Sequence, residues 1–146
     1  MSKQAVQRYM TATPVVIESG RTLAEAHDVL RAHGIRHLPV VEGGRLVGVL
    51  SQRDLYLVET LRGVDAATEK VAEAMSREPY TVAPTAPVDE VAQDMADHKY
   101  GSAVVVEDGK VVGVFTTIDA LRALASIVRG GRARRAWHGP GNATSA

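Results

Sequence analysis

Apolar runs of strand length and apolar positions at helical spacing alternate along the chain, and the alternation occurs twice. Val40-Val41 and Leu46-Val47-Gly48-Val49-Leu50 are strand-like runs flanking Glu42-Gly43-Gly44-Arg45, a hairpin signal. The second run stops at Ser51-Gln52-Arg53-Asp54, a polar strand-to-helix junction. Upstream, Pro14–Ile17 reads as a short strand. Thr22 and Glu25 fit a capping box, opening a helix with Leu23, Ala26, Val29 and Leu30 on one face. Gly34 supplies the left-handed position that ends it. A second helix is expected from about Arg53 to Leu61.

The same grammar returns 65 residues later without a gap: Val6, Met10, Pro14, Glu25, His33, Val40, Val41, Gly48, Val49 and Asp54 fall on Val71, Met75, Pro79, Glu90, His98, Val105, Val106, Gly113, Val114 and Asp119. Val6–Met10 and Val71–Met75 read as short helical lead-ins. Tyr80-Thr81-Val82 is the second opening strand. A helix follows from about Pro87, with Val88, Val91, Ala92 and Met95 inward and its end shifted toward Gly101. Thr117–Val128 is the closing helix. This gives a first repeat over 1–62, a linker over 63–69, a second repeat over 70–128 and a basic tail, read as disordered, over 129–146.

Each half is therefore β-α-β-β-α. A unit of about sixty residues has a thin core and needs a partner for its sheet. The expected fold is α/β (α+β in its segregation), two repeats packed through their sheets with pseudo-two-fold symmetry and a cleft between them.

Composition narrows the function. The 146 residues are 45% apolar with one Trp and one Phe, so the core is aliphatic. With no cysteine there is no disulfide, thiol nucleophile or thiolate metal site. The N-terminus lacks an apolar leader and no stretch is long enough to span a bilayer, so a cytoplasmic protein without membrane association is expected. Net charge is zero, but 12 Lys/Arg against 17 Asp/Glu leave residues 1–119 at −5. Five arginines without an acid leave residues 120–146 at +5.

The two junctions read Gly48-x-x-Ser51-x-x-Asp54 and Gly113-x-x-Thr116-x-x-Asp119. A hydroxyl followed three residues later by an acid caps a helix and needs no ligand to explain it. The same groups also suit a nucleotide, whose ribose hydroxyls donate to the carboxylate and whose phosphate meets the hydroxyl and free N–H groups. Arg36 and His37 precede the second strand and, with Arg53, could be its phosphate partners, or simply an exposed Arg and a partly buried His flanking a strand. The second half has Gly101, Ser102 and Ile118 at these positions, with His98-Lys99 nearby, so the halves should not bind phosphate equally.

Met10-Thr11-x-x-Pro14, Met75-Ser76-x-x-Pro79, Gly34–Val41 and the two junctions together resemble a tandem pair of CBS domains, a Bateman module, over about residues 5–125. The resemblance implies a stand-alone regulatory or sensor protein, without enzymatic activity or catalytic cofactor. It implies an adenosine-containing ligand in the cleft: AMP, ADP or ATP, S-adenosylmethionine or NAD(H), with AMP or ATP favoured. It nominates Asp54 and Asp119 for ribose, Ser51 and Thr116 for ribose or phosphate, and Thr13, Val15, Thr81 and Tyr100 for the adenine slots. It also implies a homodimer and a protein effector of unknown identity. The second half lacks the proline, having Val104 there, and the basic pair, although cations of one half can serve a ligand held by the other. The alternatives are a ligand-free interaction module, or nucleic-acid association through Arg129, Arg132, Arg134 and Arg135 with Trp137 to stack. Such short basic tails are more often solubilising.

Overall fold

The computed structural model describes residues 4–12, 14–61 and 63–132. Both hairpins form as the alternation dictates. β3 (His37–Glu42) pairs antiparallel with β4 (Arg45–Ser51), and β6 (Ser102–Glu107) with β7 (Lys110–Thr116). Their two-residue turns need positive φ at both positions, met by Gly43 and Gly44 (58° and 84°) and by Asp108 and Gly109 (54° and 79°).

α1 (Leu23–His33) buries Leu23, Ala26 and Leu30, and α3 (Val88–His98) buries Val88, Val91 and Met95. The Thr22–Glu25 capping box closes both ways, with the Glu25 N–H donating to Thr22 Oγ1 at 3.1 Å and the Thr22 N–H to the Glu25 carboxylate at 3.0 Å. α2 (Gln52–Glu59) and α4 (Thr117–Arg132) follow the hairpins. β2 (Ile17–Glu18) and β5 (Thr81–Val82) run parallel to β3 and β6.

Three expectations change. The first strand is shorter than Pro14–Ile17, and a further strand, β1 (Thr11–Ala12), precedes it. The end of α3 is not shifted: Lys99 takes the left-handed position (φ 59°) that Gly34 takes in α1, and its N–H and that of Tyr100 reach back to the Met95 carbonyl. α4 continues past Val128 to Arg132, since two glycines raise the cost of a helix without forbidding it. Arg134, Arg135 and Trp137 lie outside the described residues.

The lead-ins cross over. β1 joins the sheet of the second half, in the order β1-β7-β6-β5, while β2-β3-β4 form the other sheet. The Val6 N–H donates to the Ala86 carbonyl (2.7 Å) and that of Val88 to Gln4 (2.8 Å). Shifted by 65, the Val71 N–H donates to Arg21 (2.7 Å) and that of Leu23 to Glu69 (2.9 Å). Val49 and Ser76 exchange two bonds of 3.0 and 2.9 Å where Val114 faces Thr11. Val6, with Tyr9 and Met10 against it, is buried among Val88, Val91, Met95, Ala103, Val105 and Phe115. Val71, Ala74 and Met75 complete the core around Leu23, Leu30, Leu38, Leu50 and Leu55. A fully buried valine stabilises by ~1.5–3 kcal/mol, so each lead-in ties down the half it visits.

The crossing leaves no room beside Gly48 and Gly113. A Cβ at Gly48 would lie 2.6 Å from the Ser76 carbonyl oxygen and 2.7 Å from Met75 Sδ, and one at Gly113 would collide with Met10 Sδ. We expect Gly48→Ala and Gly113→Ala to lower stability by ~1–3 kcal/mol through overpacking. Gly20→Ala, which meets nothing within 4 Å, should stay within about 0.5 kcal/mol of wild type. Urea midpoints at unchanged slope check this, and equal effects at all three positions would refute it.

Candidate functional site

The crossover sets the cleft. Ser76 is bonded to Val49 of the first half, and by Tyr80 the chain is back beside its own hairpin, where the Tyr80 carbonyl accepts the Val104 N–H at 2.8 Å. The segment between, Glu78-Pro79-Tyr80, lines a cleft of about 600 Å³ with the start of α2.

Of the residues nominated from sequence, Arg36, His37, Ser51, Arg53, Asp54 and Tyr100 line this cleft. Ser51 and Asp54 are a capping box: the Ser51 N–H donates to the Asp54 carboxylate at 3.1 Å, and the Asp54 N–H to Ser51 Oγ at 3.0 Å. Arg36 and His37 enter β3, and the Arg36 carbonyl accepts the Gln52 N–H at 2.9 Å. The His37 ring crosses to the other half, where a Cβ at Gly101 would stand 2.7 Å from its Nε2. Burial holds this imidazole below the ordinary value of 6.5, Asp54 pulls it back up, and Arg36 adds to the depression.

The remaining nominees lie elsewhere. Thr116 and Asp119 repeat the cap at the start of α4, with the Thr116 N–H at 2.9 Å from the carboxylate and the Asp119 N–H at 3.2 Å from Thr116 Oγ1. Asp119 is buried, and the Thr11 hydroxyl of the visiting lead-in donates to its other oxygen at 3.5 Å. Val15 packs against the first core. Thr81 is exposed, paired with Val104 in the sheet, and does not line the 600 Å³ cleft. Thr13 lies outside the described residues.

The structure adds Tyr80, Lys99, Gln52, Ser76 and Glu78 to the cleft. Tyr80 was legible in principle, because the 65-residue offset carries Val15 to Tyr80 and not to Thr81. Its ring stacks on Tyr100 with centroids 5.0 Å apart, and Tyr100 stacks on His98 at 5.1 Å. The Tyr80 hydroxyl donates to Asp94 at 2.9 Å, and burial, then Asp94, push its pKa up to about 12. It stays a neutral aromatic surface at any physiological pH. Arg36, Arg53 and Lys99 line the cleft with Asp54 and Glu78, three cations to two carboxylates, so the surplus is cationic. Among the described residues no cluster of three His, Cys, Asp or Glu could hold a metal, and no helix is long and apolar enough to cross a membrane.

The family model described as CBS domain matches residues 6–58 and again 71–126. The chain is 32% identical over 110 residues to CBS domain-containing protein YhcV of Bacillus subtilis, covering 75% of this chain and 78% of that one. It is also 32% identical over 106 residues to inosine-5'-monophosphate dehydrogenase of Korarchaeum cryptofilum, but there 72% of this chain spans only 21% of the relative. Among solved structures, the CBS domain pair of protein MJ0100 in complex with 5'-methylthioadenosine and S-adenosyl-L-methionine superposes with a TM-score of 0.79 at 28% identity, over 86% of this chain and 99% of that one. CBSX2 in complex with AMP superposes with a TM-score of 0.73 at 26% identity, over 86% and 98%.

The depressed His37 pKa has a sign that can be checked. An unfolded histidine binds its proton more readily than this one, so unfolding takes up a proton. His37 thus contributes stability that is fully present above pH ~6.5 and is lost as pH falls through its lower folded value. In an NMR titration its midpoint should lie below 6.5, and Arg36→Ala should raise it. A wild-type midpoint above 6.5 would contradict the buried setting.

Proposed function

The chain belongs to the CBS domain family as a tandem pair, and from that premise we propose that it is a regulatory sensor binding a phosphorylated adenosine nucleotide in the Asp54 cleft. The observation that carries this reading is one convergence: a ribose-competent carboxylate and hydroxyl, stacked tyrosines, and three cationic side chains around about 600 Å³. The Asp54 carboxylate accepts the ribose hydroxyls, using oxygen lone pairs that the single Ser51 N–H leaves free. The base lies toward Tyr80 and Tyr100, and the phosphate toward Arg36, His37, Arg53 and Lys99. MJ0100 and CBSX2 were crystallised with adenosyl compounds, which supports the class of ligand. The cationic surplus favours AMP or ATP over S-adenosylmethionine, whose sulfonium is itself positive. The Asp119 junction is the weaker candidate, with Gly101, Ser102 and Ile118 in place of the bases.

The output is a contact with another chain. α2 begins in the cleft and exposes Tyr56 and Leu57, with Leu61 just beyond, while α4 exposes Ile118, Leu121, Leu124 and Val128 at spacings of three and four. Apolar stripes at equivalent places in two pseudo-symmetric halves suit a homodimer, which would carry the ligand state to a protein effector.

Calorimetric and thermal-shift titrations with AMP, ATP, S-adenosylmethionine and NADH test the ligand. At a hundredfold excess over Kd the bound nucleotide should add ~2.7 kcal/mol and raise Tm by roughly 5 to 10 °C. Asp54→Asn preserves the cap's acceptor but loses the charge, and should weaken binding on the order of 10- to 100-fold. No heat and no shift with any of the four would sink the ligand reading and leave the dimer face as the working surface. Light scattering tests that face: Leu121→Asp together with Leu124→Asp should convert a dimer to a monomer that still binds nucleotide. An unchanged mass would place the contact elsewhere.

A further inference from the structure

A second pocket of about 320 Å³ opens between the end of α1 and the start of α2. It shares Arg36, Gln52 and Tyr56 with the 600 Å³ cleft, so these three residues form a common wall. Beyond that wall it adds two basic side chains, His27 and Arg31, over an apolar floor of Leu30 and Ile35, and no carboxylate lines it. The bases are held from outside. Glu59 lies 2.6 Å from His27 Nε2, and Asp28 lies 3.4 Å from the Arg31 guanidinium, with both members of the latter pair well exposed. An anion reaching Arg31 therefore displaces only one weak, solvent-screened ion pair, whereas Glu59 already engages His27 Nε2.

The repeat supplies its own control. The positions 65 residues on from His27, Arg31 and Arg36 are Ala92, Ala96 and Gly101, and that half folds with the same elements. His27 has partners of its own on α2, Glu59 at 2.6 Å and the Tyr56 ring. The second half, however, folds without counterparts of Arg31 and Arg36, and these two arginines beside the cation-rich cleft suit an anion.

Building on the Asp54 reading, we infer that this pocket receives the distal phosphates of a nucleoside polyphosphate whose ribose is held at Asp54, so that the sensor distinguishes a triphosphate from a monophosphate. The chain of phosphates passes Arg36 at the common wall and ends at Arg31 and His27, which a single phosphate does not reach.

Calorimetry on the full chain with adenosine, AMP, ADP, ATP and inorganic tripolyphosphate tests the inference. ATP should bind at least 10-fold tighter than AMP. Arg31→Ala, an exposed change outside the ribose site, should erase most of that difference, a single charge-assisted contact being worth about tenfold or more, while leaving the AMP Kd nearly unmoved. Asp28→Asn, which frees Arg31, should tighten ATP about threefold and leave AMP alone. Equal affinity for AMP and ATP, or equal loss of both in Arg31→Ala, overturns the polyphosphate pocket and leaves the Asp54 reading standing. Tripolyphosphate binding as tightly as ATP and indifferent to Asp54→Asn overturns it as well, making the pocket an independent anion site. Absence of binding by every adenosyl compound overturns both readings.

Discussion

The crossing of the lead-ins is the constraint on which the rest depends. Two-residue strands and single 3₁₀ turns have negligible stability alone, yet Val6 and Val71 are fully buried because each inserts into the core of the opposite half. Neither core is complete without the other half's chain, so the two units should fold as one. The crossing also dictates sequence where no ligand does. Gly48 and Gly113 stand at the places where Met75 and Met10 pass over a strand, and only the absence of a Cβ lets backbone and thioether come so close. The glycine of the repeated Gly-x-x-[Ser/Thr]-x-x-Asp motif is thus a packing residue, while its hydroxyl and acid are capping residues.

From the same exchange comes a cleft that neither half could make by itself. With Ser76 bonded to Val49, Tyr80, Lys99 and Tyr100 line the same cleft as Asp54, so the carboxylate and two cations come from one repeat and the stacked tyrosines and third cation from the other. The symmetry of the backbone is not carried into charge. Where the first half has Arg36, the second has Gly101, and the His37 ring occupies the space a side chain at Gly101 would need. A basic residue at both positions would bring like charges together beside a half-buried imidazole. Differentiation of one half is in this sense the condition for the other half's site.

How much was legible follows from the range of each signal. The 65-residue offset, the hairpin turns and the amphipathic faces of α1 and α3 are local or periodic, and they led to the element order and to the buried Leu23, Leu30, Val91 and Met95. The capping boxes were equally legible, being closed within four residues. The crossing was not, because Thr11–Ala12 carries no pattern that says which sheet it joins, and its partner lies a hundred residues away. Lys99 defeated a rule of composition: glycine is the cheap left-handed cap, but two backbone bonds to Ala96 and Met95 outweigh the strain of a lysine there. The resemblance nominated Thr81, which pairs with β6 in the sheet, whereas the repeat register carries Val15 to its neighbour Tyr80, which lines the cleft.

That Ser51 and Asp54 fully explain each other as a cap has a bearing on the site that is easy to invert. A cap that satisfies itself seems to need no ligand, yet self-satisfaction is what fixes the carboxylate in place before a ligand arrives. The Ser51 N–H holds one Asp54 oxygen at 3.1 Å, fixing the rotamer, and a carboxylate has acceptor capacity well beyond one donor. At the other junction that spare capacity is met by the Thr11 hydroxyl, and Asp119 is buried. At Asp54 the pseudo-symmetric residue is Ser76, which lines the cleft, and the carboxylate is half-buried at its edge. One scaffold thus presents the same acid twice, once closed by the visiting lead-in and once open to a cationic cleft, and the proposed ribose site uses the open one.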